Sequence, residues 1–169
     1  ARVVTTDKDL AQVVREDGRA VTYDLARDAE RDADGVREKF GVDPDQIPDY
    51  LGLVGDTVDN LPGVPGVGPK GASAALQAFG RIEHIPANPN DWAELGVRGA
   101  KRIAALIDEH RASALRTREL ASVVRAVPGT DASLAALEYR GADRGKVQTL
   151  FEALGWDRIV ERIPRWDEG

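Results

Sequence analysis

The stretch GDTVDNLPGVPGVGPKGA, residues 55–72, constrains this chain more than any other. Two aspartates stand three residues apart, Asp56 and Asp59, and glycines and prolines then crowd around one lysine, Lys70. Pro62, Pro65 and Pro69 keep the segment out of a central strand or a helix interior, because proline lacks the N–H that both need. The segment is therefore a turn-rich connection. It is either a tight loop between two core helices or a device that holds a charged ligand.

Three ligand-holding readings compete. A phosphate loop of the form G-x-x-x-x-G-K-[ST] has its glycine gap at Gly63 and Gly68, but Pro69 stands where the lysine belongs and has no N–H to offer a phosphate. A dinucleotide fingerprint G-x-G-x-x-G occurs at Gly66, Gly68 and Gly71, but the preceding DNLPGVP cannot be the strand that it needs. The third reading is a helix-hairpin-helix-like element. There Gly63, Gly66 and Gly68 turn backbone N–H groups outward at a helix N-terminus, Val64 and Val67 pack the turn from inside, and Lys70 reaches a neighbouring phosphate. Such a turn grips a phosphodiester without reading bases, and its carbonyls can hold a monovalent cation.

Carboxylates supply the second signal. Asp7 and Asp9 leave the first expected strand, where alternation puts both on one side of an extended backbone. Asp56 and Asp59 are read as closing a helix and sharing a face at i, i+3 spacing. Singly, each suits a cap or a turn. Converged beside a phosphate-gripping turn, the four would bind Mg²⁺ or Mn²⁺, hard cations that take oxygen ligands. Two such ions can hold and hydrolyse a phosphodiester. The remaining chemistry is sparse: two histidines, His84 and His110, no cysteine and no G-x-S-x-G. Without cysteine there are no disulfides and no thiolate zinc site. No apolar run is long enough to span a membrane and no signal-peptide pattern opens the chain, so a cytoplasmic protein with no membrane partner is expected.

Net charge is −6, but its distribution is uneven. Residues 1–50 carry 13 acidic and 8 basic side chains, whereas residues 96–126 carry seven basic and three acidic ones, a local balance of +4. An acidic front with a basic helical segment suits metal in one place and phosphate in another, or simply two solvated faces. Strands are expected at residues 2–4, buried, and at 19–25. Residues 26–35 read as a charged loop. Helices are expected from Asp9, over 34–41, over 43–55 with Ile47, Tyr50, Leu51 and Val54 on one side, over 70–80 and, as one helix or two, over 97–127. Residues 85–92 read as a loop, and the tail as short helices, the last over 157–163. The chain contains no methionine and opens in mid-strand, which suggests a C-terminal portion of a longer polypeptide.

TTDKDLAQVV, followed by KFGVDPDQIPDYLGLVGDTVDNLPGVPGVGPKGASAAL, resembles the C-terminal half of the bacterial 5′-nuclease family. That family includes the 5′→3′ exonuclease domain of DNA polymerase I, phage flap endonucleases and stand-alone exonucleases. The resemblance is dense over residues 3–80 and looser to about residue 128. It implies an α/β fold: a partial PIN-like sheet edge over residues 1–45, then a mainly helical domain over 46–169 with a helix–three-turn–helix element at 49–80. It further implies catalytic, metal-binding roles for Asp7, Asp9, Asp56 and Asp59. DNA-binding roles fall to Gly63, Val64, Gly66, Val67, Gly68 and Lys70, with K⁺ in the hairpin. The expected partner is DNA with 5′ ends, nicks or flaps. The family's first half, with over half of its metal ligands, has no counterpart here, so weak or absent cleavage is expected of this chain alone and that half is an expected partner. The rival class is a non-catalytic duplex DNA-binding module. Four clustered aspartates argue against it, because uncompensated negative charge repels phosphate.

Overall fold

The computed structural model describes residues 1–130, 133–156 and 159–167. It is a mixed α/β structure that divides into two compact units, Ala1–Val124 and Arg125–Gly169. The first unit opens with a three-stranded sheet of β1 (Arg2–Val4), β2 (Val21–Asp24) and β3 (Ala29–Arg31). β1 pairs parallel with β2, with Val3 opposite Thr22, and β2 pairs antiparallel with β3, with Tyr23 opposite Glu30. Two strand expectations change. β1 is not buried, with Val4 60% exposed, because it forms one edge of the sheet. The charged run read as a loop contains β3, which a turn through Asp28 at φ +51° folds back onto β2.

Helices then take over. α1 (Ala33–Phe40) is capped by the Asp32 carboxylate, which accepts from the Gly35 N–H, and stops at Gly41 in the left-handed region. A 3-10 turn, Pro44–Gln46, leads into α2 (Ile47–Val54). Ile47, Leu51 and Leu53 of α2 are almost wholly buried. β4 (Gly55–Asp56) and β5 (Leu61–Pro62) form a minimal antiparallel hairpin, Asp56 opposite Leu61. α3 (Pro69–Phe79) follows, then 3-10 turns at Ile82–His84 and Pro89–Leu95. The second turn falls in the expected loop and plants Trp92, 1% exposed, against Phe79 with ring centroids 5.3 Å apart. Residues 97–127 yield a single long helix, α4 (Ala100–Ala121).

α2 and α4 pack side by side at the centre of this unit. Gly52 permits it, since a Cβ there would lie 2.7 Å from the Ala114 carbonyl oxygen. Arg118 of α4 reaches back to Asp49 of α2 at 3.2 Å and to Glu83 at 2.6 Å. Arg111 donates to the carbonyls of Ile82 and Ile85. These two arginines of the basic segment are therefore spent on internal structure. The second unit contains α5 (Arg144–Leu154), capped by Asp143, and a 3-10 turn at Val160–Arg162; residues 157 and 158 of the expected last helix lie outside the described residues. Among the described residues no helix is long and apolar enough to cross a membrane.

Candidate metal centre and hairpin

Asp9, Asp56 and Asp59 come together from two chain segments, each offering a carboxylate oxygen within 4.8 Å of the others. The local structure differs from the expected one. After β1 the chain bends, and Asp7 turns its carboxylate back to accept from the Asp9 N–H at 3.0 Å. Asp9 opens a 3-10 turn, Asp9–Val13. The two aspartates therefore do not share the side of an extended strand. Asp7 closes a local turn onto the Asp9 N–H and lies outside the three-carboxylate cluster. Nor do Asp56 and Asp59 ride on a helix, because α2 ends at Val54. Asp56 sits in β4, and its Oδ1 accepts from the Val58 N–H at 2.9 Å. This tightens the turn that presents Asp59.

A cavity of about 400 Å³ opens beside Asp56 and Asp59, lined also by Thr6, Asp7, Lys8, Lys39 and Val58. Lys8 puts its ammonium 2.6 Å from Asp56 Oδ2. Lys8 and Lys39 carry no role in the motif reading. Lys8 stood in plain view between Asp7 and Asp9, whereas no spacing rule brings Lys39 of α1 to this cavity. Burial raises Asp9 to about 6, with Asp7, Asp56 and Asp59 pushing the same way. Burial also works against ionisation of Asp56, but the Lys8 ammonium and the Val58 N–H outweigh it and hold that carboxyl below the usual range.

Asp9 Oδ1 is a buried oxygen without a hydrogen-bond partner, whereas the buried Asp56 Oδ2 is met by the Lys8 ammonium. Such atoms are costly to bury unless something else satisfies them. The orphaned Asp9 oxygen, in a cluster of three hard oxygen donors, fits a divalent cation of the Mg²⁺ or Mn²⁺ type.

The glycine-rich turn leads from β5 into α3. Val64 and Val67 are buried, at 3% and 6% exposure, while Gly66, Gly68 and Lys70 face outward. The Val64 N–H donates to the Leu53 carbonyl at 2.8 Å, and the Val67 N–H to the Val64 carbonyl. Gly66 holds φ +82°, a conformation that side chains resist, and a Cβ there would meet the Arg102 guanidinium at 2.9 Å. Gly63 lies so close to α2 that a Cβ would sit 2.3 Å from the Val54 carbonyl carbon. Gly68 begins α3, its carbonyl accepting from Gly71 and Ala72.

Comparison with known proteins agrees with this architecture. Residues 42–145 match the family described as 5'-3' exonuclease, C-terminal SAM fold. DNA polymerase I of Bacillus caldotenax is 36% identical over 167 residues, covering 96% of this chain and 18% of that protein. The 5'-3' exonuclease of Aquifex aeolicus is 45% identical over 87 residues, covering 52% of this chain and 29% of that protein. The chain thus spans under a fifth of the polymerase and under a third of the exonuclease. Among solved structures, T5 5'-exonuclease with bound zinc superposes with a TM-score of 0.57 at 20% identity, over 71% of this chain and 42% of that one. A family match that covers α2 through α4 entirely, on a fold shared with a 5'-exonuclease, places the chain in the 5'-3' exonuclease C-terminal SAM-fold family.

Proposed function

We propose that this chain is the portion of a divalent-metal-dependent 5′→3′ exonuclease or flap endonuclease that completes the metal centre and grips duplex DNA. The convergence of Asp9, Asp56 and Asp59, reached from opposite sides of a 46-residue intervening stretch and with a buried Asp9 oxygen left unpartnered, carries this reading. Asp7 joins them at the cavity rim. Mg²⁺ or Mn²⁺ in a two-ion arrangement would supply Lewis-acid activation of water and stabilisation of the leaving oxygen. The protein's own contribution is to hold the carboxylates in register and to keep the DNA at a set distance.

That distance comes from the short separation between Asp59 and the turn. Residues 49–80 work as a helix-hairpin-helix-like element, with Gly63, Val64, Gly66, Val67, Gly68 and Lys70 at the phosphodiester backbone and K⁺ held by turn carbonyls. The start of α3 adds its partial positive charge. Residues 1–45 form the edge of an α/β catalytic domain in this reading, and 46–169 its helical companion. The relatives named DNA polymerase I and 5'-3' exonuclease, and a bacteriophage T5 flap endonuclease solved with DNA and metal ions, support the assignment. DNA with 5′ ends, nicks or flaps is the proposed substrate, in a bacterial cytoplasm. The missing N-terminal half supplies the remaining ligands, and without it cleavage is weak or absent.

The test is a Mg²⁺-dependent flap-cleavage assay on the 169-residue chain and on a version extended at its N-terminus. The reading predicts binding by both and efficient cleavage only by the longer one. Strong cleavage by the short chain would refute the division of ligands, and binding without cleavage by the extended protein would favour a pure DNA-binding module.

A further inference from the structure

Two buried polar side chains outside the cluster make contacts that local structure does not require. Gln12 is 3% exposed and lies three residues past Asp9. Its amide nitrogen donates to the Asp9 carbonyl at 2.8 Å and to the Ala121 carbonyl at 2.9 Å. Its amide oxygen accepts from the Val123 N–H at 3.0 Å. The Asp9 backbone is thereby tied to the C-terminal end of α4. Thr117 is 1% exposed and lies one turn earlier, on the same face as Ala121. Its hydroxyl donates to the Pro62 carbonyl at 2.8 Å. Pro62 pairs with Gly55 in the hairpin that carries Asp56. One turn of one helix therefore holds both segments that meet at the cluster.

The Gln12 amide satisfies the Ala121 carbonyl at the end of α4 and in doing so brings the Asp9 turn to that end, while the β4–β5 hairpin has its own ladder without Thr117. Each segment alone is a weak scaffold: a 3-10 turn of five residues on one side and two-residue strands on the other. We infer that Gln12 and Thr117 are positioning residues that set the spacing between Asp9 and the Asp56–Asp59 hairpin through the last turn of α4. The inference rests on the metal-centre reading of that cluster.

Mn²⁺ binding by the N-terminally extended protein, read as loss of the free-ion electron paramagnetic resonance signal, tests it without any cleavage assay. Gln12→Met and Thr117→Val remove the ties while keeping side-chain bulk. In the folded proteins each should weaken Mn²⁺ binding by about 10-fold or more, the usual cost of losing a support behind a metal ligand. Thr117→Ser keeps the hydroxyl and should bind as the parent does. Arg111→Met, which loosens α4 elsewhere, should lower the melting temperature and leave affinity unchanged. Should Thr117→Val fail to fold, Gln12→Met carries the same test. Folded Gln12→Met and Thr117→Val proteins with parental affinity, alongside an Asp56→Asn protein that has lost it, would overturn the positioning role and leave the metal reading intact. An N-terminally extended parent protein that takes up no Mn²⁺ would overturn both.

Discussion

The ammonium of Lys8 lies 2.6 Å from Oδ2 of Asp56, a carboxylate whose side chain is 1% exposed. The lysine between the two N-terminal aspartates thus supplies the counter-charge for the aspartate that arrives 48 residues later. A buried charge stripped of its partner is strongly destabilising, though Lys8 is one-third exposed and its share is screened. Lys8→Met should therefore destabilise the metal-free chain by about 1–3 kcal/mol. A divalent ion can take over the same task. Thermal melts with and without Mn²⁺ should show a larger metal-induced rise for Lys8→Met than for the parent. Equal rises would contradict the shared role.

Burial and its carboxylate neighbours raise Asp9 from 3.8 to about 6. A carboxyl whose folded value lies above its unfolded one holds its proton more tightly when folded. Its ionisation costs stability in full above about pH 6, and the cost vanishes as pH falls toward 4. Asp9→Asn should accordingly stabilise the metal-free chain at pH 8 by about 1 kcal/mol after solvent screening, or roughly 2–4 °C. The gain should disappear at pH 4. Melting curves in chelator at the two pH values measure it.

Arg118 bridges Asp49, 4% exposed and also bound to the Ile82 N–H at 3.2 Å, and Glu83. Arg118→Ala leaves Asp49 buried beside a single N–H donor. Urea titration should show a loss of about 2–4 kcal/mol, less than for a fully buried pair because Arg118 is partly exposed. Asp49→Asn in the Arg118→Ala background should recover part of it.

Lys70 stands exposed in the first turn of α3. Lys70→Ala should weaken duplex binding to the same degree on unrelated sequences and reduce the slope of log K against log salt by about 1. Fluorescence anisotropy over a salt series gives both numbers. A sequence-dependent loss would place Lys70 at base edges instead.

Much of this site was legible in the chain before its coordinates. The proline and glycine spacing forced a turn after Asp59, and Val64 and Val67 were the apolar residues free to pack inside it. The pairing of Asp56 with Asp59 was found on the wrong geometry: a two-residue strand is too short to show alternation, so the helix of α2 was carried one turn too far. β3 was hidden because Ala29, Glu30 and Arg31 have no apolar period, and its pairing follows from the turn at Asp28. Gln12 and Thr117 could not be read at all. Their partners lie 109 and 55 residues away, and a buried amide or hydroxyl has no periodicity to betray it.

In the proposed reading Asp56 belongs to a metal centre that cleaves DNA rather than to a module that merely binds it. Flap cleavage by an N-terminally extended protein carrying Asp56→Ala, measured beside its DNA affinity, addresses that claim most directly. Metal stabilisation of the transition state is worth several kcal/mol, so cleavage should fall by about 100-fold or more while affinity stays near that of the parent. Undiminished cleavage by the Asp56→Ala protein would contradict the account.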